Sequence, residues 1–187
     1  MVELALRGRE SAYRELIDRY QRPVFALIYR MVRDRELAED LAQDTFVKVL
    51  NALDRYKPEY KFSSWIFKIA NNTALDEIRR KRLKTISLQG SPNAVTPDQQ
   101  AATTPSIASD DQAPDEFVEA RELSAEIEVA LGEIRAEYRS AIVMYHMEGL
   151  AYEEIAQVMD VPLGTVKTYI HRGRKELRDV LDHLRVA

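Results

Sequence analysis

Two groups of side chains in this sequence have the types and the spacing to hold a nucleic acid. In the stretch from Gly149 to Leu177, Lys167, Thr168, His171, Arg172 and Lys175 recur three or four positions apart. On a helix they share one side, with Val166 and Ile170 turned inward, and such a basic side reaches phosphates or base edges in a major groove. Between Tyr56 and Lys68, the rings of Tyr56, Tyr60, Phe62, Trp65 and Phe67 interleave with Lys57, Lys61 and Lys68. Aromatic faces stack on unpaired bases while lysines follow the backbone, which is how single strands are gripped. Some of these rings must be core in so small a domain. Trp65 and Ile66 are expected to be at least partly buried, with Tyr56, Tyr60 and Phe62 freer to stack.

Other chemistries lack their residues. The chain has no cysteine, which excludes disulfides, thiolate metal sites and a cysteine nucleophile. Its three histidines, His146, His171 and His183, share no metal-binding spacing. Neither carboxylates clustered at metal spacing nor the glycine pattern of a phosphate-cradling loop is visible, so the chain reads as a non-enzyme without a cofactor. No apolar run reaches membrane-spanning length. The first residues, MVELALRGRE, have no long apolar core of an export signal, so a cytoplasmic protein without membrane insertion of its own is expected.

The formal net charge of −4 conceals its distribution. From Arg55 to Lys84, nine bases face three acids. From Thr85 to Glu133, Arg121 stands alone against ten acids, and from Pro162 onward six bases face three acids. Two basic segments flanking an acidic one suggest two separate contacts with a polyanion.

The elements that must carry these groups read as helices throughout, with no strand-period segment of any length. Residues 11–32 place Ala12, Leu16, Tyr20, Val24, Leu27, Ile28 and Met31 on one side, with a kink expected at Pro23. After a polar turn, residues 36–53 turn Leu37, Leu41, Val49 and Leu53 inward and Asp40, Gln43, Asp44 and Lys48 outward. By residue type alone, that outward set reads as a solvated face. A long helix then begins near Ser63 or Ser64, either of which can cap it. Residues 85–114 are rich in Ser, Thr, Gln, Ala and Pro and read as a disordered linker. Fully stretched it reaches roughly 100 Å, and relaxed nearer ~30 Å, against about 35 Å for one turn of DNA. Two amphipathic helices, 117–134 and 137–147, supply a core for a helix-turn-helix whose turn lies at Asp160-Val161-Pro162. Its second helix carries a stripe of Val166, Ile170, Gly173, Leu177, Val180/Leu181 and Leu184. The fold class is therefore all-α, as two small helical domains on a flexible linker.

Three blocks, ELAEDLAQDTFVKVLNAL, KFSSWIFKIANNTALDEIRRKR and EGLAYEEIAQVMDVPLGTVKTYIHRGRKEL, resemble the region-two and region-four signatures of bacterial RNA polymerase sigma factors. The short linker with no third domain resembles the extracytoplasmic-function (ECF) group. The resemblance implies a region-two domain at 1–84, a linker at 85–114 and a region-four domain at 115–187. It implies that Asp40, Gln43 and Asp44 dock on core RNA polymerase, which reverses the solvated reading of that face. It assigns Phe62, Ser63, Ser64, Trp65, Lys68 and Asn72 to −10 melting and base capture, with Arg79 and Arg80 near the duplex. It assigns Lys167, Thr168, His171, Arg172 and Lys175 to the −35 element. The implied partners are core polymerase, promoter DNA and an anti-sigma factor. Two positions depart from the family pattern: Ala151 stands where serine commonly caps a helix, and Ile134-Arg135 replaces a frequent Leu-Pro. A conventional helix-turn-helix regulator is the alternative, but it leaves the aromatic and basic block and the linker unexplained.

Overall fold

The computed structural model describes residues 2–89 and 125–186. All regular structure among these residues is helical. The first bundle contains α1 (Val2–Leu6), α2 (Glu10–Val32), α3 (Arg35–Asn51), a single 3-10 turn (Leu53–Arg55) and α4 (Phe62–Gln89). The second contains α5 (125–133), α6 (Ala136–His146), α7 (Tyr152–Met159) and α8 (Leu163–Val186).

Two residues reverse the chain between α2 and α3. Arg33 takes a left-handed φ of 57° and donates its N–H to Tyr29 O at 2.7 Å, closing α2. Asp34 then accepts the Leu37 N–H at 3.1 Å as the N-cap of α3. The returning helix lays Leu41 and Val49 against Val24, Leu27, Ile28 and Met31, and Leu53 in the following turn completes that wall. Pro23 sits within α2, which runs helical on both sides of it.

Helix α4 differs from its expected limits at both ends. It starts at Phe62, one residue ahead of the serines, so neither Ser63 nor Ser64 occupies the capping position. It continues through Gln89, past the expected linker boundary at 85, because no proline or glycine occurs before Gly90. Thr85 adds a hydroxyl bond to Lys81 O at 3.1 Å. The rest of the expected linker and residues 117–124 lie outside the described residues.

In the second bundle, α7 begins after Ala151, which has no side-chain acceptor to offer. Only the reciprocal half of a capping box is present: Glu154 accepts the Ala151 N–H at 2.8 Å. Asp160, at φ 57°, ends α7, and the Pro162 carbonyl accepts the Thr165 N–H at 2.8 Å to open α8. Val166 and Ile170 are buried as the periodicity requires. Gly173 lets α8 lie close on α6, since a Cβ there would come within 2.6 Å of Ile142 Cδ1 and 3.1 Å of Tyr138 Cβ. Leu184 is exposed and lies beyond the buried stripe.

The two bundles touch. Helix α4 packs against α6 and α7, and α2 against α6.

Candidate nucleic-acid and polymerase-docking surfaces

Helix α8 turns Lys167, Thr168, His171, Arg172 and Lys175 to solvent, on the side opposite Val166 and Ile170. The structure thus brings all five expected residues to one open face. Thr168 is already engaged: its hydroxyl donates to Gly164 O at 2.9 Å, so it must rotate to donate to a phosphate. Arg174 projects elsewhere, lying over the Tyr145 ring at 5.7 Å and donating from Nε to His146 Nε2 at 3.2 Å. Burial, with the Arg174 charge beside it, holds the His146 pKa below its usual value.

The aromatic block forms one cluster at the start of α4. Phe62 stands at its centre, with ring centroids 5.4 Å from Tyr20, 5.3 Å from Tyr56 and 5.5 Å from Trp65. Phe62 is only 8% exposed, which corrects the expectation that it is free to stack on a base. As the first residue of α4, it lines a small apolar space with Leu16, Ile17 and Phe46. Trp65 and Tyr56 are half-buried, and Tyr60 is exposed while its carbonyl accepts the Tyr56 hydroxyl at 2.6 Å. Phe62 therefore supports a rim made by Tyr56 and Trp65.

The remaining expected −10 residues divide between solvent and interior. Asn72 is exposed and Ser63 half-buried, whereas Ser64 is buried at 4% exposure with its hydroxyl unpaired. Lys68 lies 3.9 Å from Asp160 on the second bundle. At the far end of α4, Arg79 and Arg80 are exposed, and Arg80 is clamped by Glu77 at 2.7 and 2.9 Å. That bond raises the Arg80 pKa further.

On α3, Asp40, Gln43 and Asp44 are exposed on one side, and the next turns continue it with Val47 and Leu50, 55% and 41% exposed. The apolar end of this face was missed from sequence. The signal was available, because Val47 lies three and four residues after Asp44 and Gln43.

Comparison with known proteins fits this arrangement of two helical bundles with separate basic faces. Residues 16–84 match the family described as Sigma-70 region 2, and residues 124–177 match Sigma-70, region 4. The chain is 32% identical over 183 residues to the ECF RNA polymerase sigma factor SigW of Bacillus subtilis (strain 168), covering 95% of this chain and 93% of that protein. The chain belongs to the ECF sigma factors of the sigma-70 family. The RNA polymerase sigma factor CarQ of Myxococcus xanthus is likewise 32% identical, over 95% of this chain and 93% of its own length. The structure of CnrH solved with the cytosolic domain of CnrY shares the fold. Its TM-score is 0.69 at 22% identity, covering 97% of this chain and 95% of that one. The sigma factor RpoE of Bartonella quintana, solved with the anti-sigma factor NepR, gives a TM-score of 0.68 at 21% identity, over 91% of this chain and 97% of that one.

Membership makes this ECF sigma factor a non-catalytic subunit of transcription initiation, with region four binding DNA. No helix among the described residues is long and apolar enough to cross a membrane.

Proposed function

We propose that this sigma factor divides promoter recognition between its two bundles, at 1–84 and 115–187, while α3 docks on core RNA polymerase. The observation that carries the reading is the open face of α8, where Lys167, His171, Arg172 and Lys175 are exposed without an ion pair to any other described residue. Lys167 and Thr168 sit near the helix N-terminus, where free N–H groups and the helix dipole already favour phosphate. His171 and Arg172 lie a turn deeper, at the place for base edges of the −35 element. Tyr56 and Trp65 form a rim for an unpaired base, propped by Phe62, with Ser63, Ser64, Lys68 and Asn72 along the same helix and Arg79 and Arg80 toward the duplex. Asp40 and Asp44 supply charge to the polymerase contact, Gln43 an amide that donates and accepts hydrogen bonds, and Val47 and Leu50 its apolar centre. Strand separation follows from base capture and stacking, without nucleotide hydrolysis. An anti-sigma protein in the cytoplasm is the expected regulator, as the two solved relatives were each captured with a second protein.

The test is transcription in vitro by cognate core enzyme with this chain, with start sites read by sequencing transcripts. A defined promoter class with permanganate-reactive thymines at −10 is expected, and Trp65→Ala should slow that reactivity while leaving core binding intact. Unchanged reactivity in Trp65→Ala would remove the assignment at the start of α4.

A further inference from the structure

Lys48 of α3 does not take the partner that its own helix offers. Asp44 lies four residues before it, the order and spacing that favour an ion pair on a helix. Pairs at this spacing close elsewhere in the first bundle, Arg14 with Glu10 and Arg35 with Glu39, each at 3.0 Å. Asp44 instead stays exposed without an ion pair to any other described residue. The Lys48 ammonium crosses to α4 and donates to the Thr73 hydroxyl at 3.1 Å. Thr73 is buried, and Asn72 directly before it is exposed. We propose that Lys48 is a positioning residue for strand capture, its bond to Thr73 fixing the rotation of α4 on α3 that aims Asn72. The proposal rests on the reading of α3 as the docking helix and of Asn72 as part of the −10 site.

The bond sits where a small rotation matters. Asn72 and Thr73 are one residue apart on α4, so the hydroxyl that holds Lys48 and the amide that faces solvent turn together. A rotation of about 10° carries a side-chain end at a radius of about 5–6 Å through roughly 1 Å. A misplacement of that size can cost on the order of a hundredfold where rate depends on orientation. Apolar packing is non-directional and resists such a turn weakly, whereas a hydrogen bond has a direction. Among the described residues, Lys48 to Thr73 is the one side-chain hydrogen bond that joins α3 to α4. Thr45, also buried, donates to Leu41 O of its own helix at 2.7 Å and adds no tie between the two. A looser, exposed pair, Lys81 with Asp34 at 3.9 Å, links α4 to the head of α3.

The chemistry of the pair suits the task. An ammonium is a compact donor on a long stem, so it spans the space between two helices without setting a planar group there. The threonine oxygen accepts, and β-branching leaves Thr73 few rotamers on a helix, so the acceptor stays where α4 puts it. The same arrangement leaves Asp44 uncommitted on the docking face. An exposed lysine near Asn72 could instead meet a phosphate directly, and that use differs in one respect: it would not need Thr73.

The test uses holoenzyme on a promoter mapped as above, with Lys48→Met, Thr73→Val and the two combined. Each single change should leave core affinity and initial promoter binding unchanged. Each should slow the appearance of permanganate reactivity at −10 by roughly three- to tenfold, the factor that one hydrogen bond is worth. The combined variant should be no slower than either single one, and Thr73→Ser, which keeps the hydroxyl, should react at the unmodified rate. Additive slowing in the combined variant, an unchanged rate in Lys48→Met, or loss of its core binding overturns the proposal. Slowing that tracks a fall in Tm across the variants makes the bond structural only and also overturns it. The salt slope of binding to a single-stranded −10 oligonucleotide separates the remaining use. A slope smaller by about 0.7 in Lys48→Met but not in Thr73→Val makes Lys48 a phosphate contact, against the proposal. Asn72→Ala checks the underlying reading. If it does not slow reactivity, the strand-capture reading fails and the proposal with it; if it does and Lys48→Met does not, the proposal alone fails.

Discussion

Gly173→Ala measures how tightly α8 is held on α6, and therefore how firmly the DNA-facing side is aimed. The added Cβ would stand 2.6 Å from Ile142 Cδ1, 3.1 Å from Tyr138 Cβ and 3.3 Å from Ile142 Cγ1. The Ile142 tip can rotate, but Tyr138 Cβ is fixed to the backbone of α6, so α8 itself must move by some tenths of an ångström. Overpacking of this kind costs about 1–3 kcal/mol. Replacing glycine by alanine within a helix returns about 0.5–1 kcal/mol. The balance is a net loss centred on roughly 1 kcal/mol, a fall in Tm of about 2–4 °C if the whole chain melts as the unit and about 4–8 °C if the smaller bundle does. Gly164→Ala on the same helix is the control. A Cβ there meets nothing within 4 Å, so it should be neutral or stabilising. Thermal melting followed by circular dichroism, with promoter binding by the holoenzyme as the second readout, compares the two variants. A Gly173→Ala chain that melts at or above Gly164→Ala would refute the close-approach argument.

Arg172→Ala should relax preference at one or two −35 positions, at about 1–3 kcal/mol if the arginine reads a guanine. Lys167→Ala should weaken all sequences alike and reduce the salt slope by about one; competition of randomised −35 libraries across a salt series separates the two. Asp40→Lys or Asp44→Lys should weaken core binding through lost complementarity. Val47→Glu should do the same without lowering Tm, as Val47 is exposed; titration of labelled chain into core enzyme measures both. The depressed pKa of His146 means the unfolded chain takes up its proton first as pH falls. His146 therefore contributes stability that is present above about pH 6.5 and is lost as pH falls toward its folded value. In His146→Gln, denaturant midpoints at pH 7.5 and 5.5 should show a smaller loss on acidification than in the unmodified chain, and an equal loss would sink that account.

The sequence by itself determined the helices, their inward faces and the sigma-factor family, because these follow from local periodicity and residue type. The 3.6-residue repeat that buries Val166 and Ile170 necessarily turns Lys167, His171 and Arg172 outward, so the α8 face was legible without coordinates. Turn chemistry at Asp160-Val161-Pro162 is local in the same way. What depended on packing from several directions was not legible. Phe62 was expected to be available for stacking, but rings from α2, the 3-10 turn and α4 enclose it, and no single helical period records that crowding. Asn71 and Asn72 are adjacent and chemically alike, yet a rotation of 100° per residue sends one into the seam toward Ser140 and the other to solvent. Only the tertiary structure decided that the two bundles meet, and that Glu154 and Asp160 stand beside Lys61 and Lys68. Those pairs join residues more than ninety positions apart, and their energies depend on a distance that no local pattern encodes.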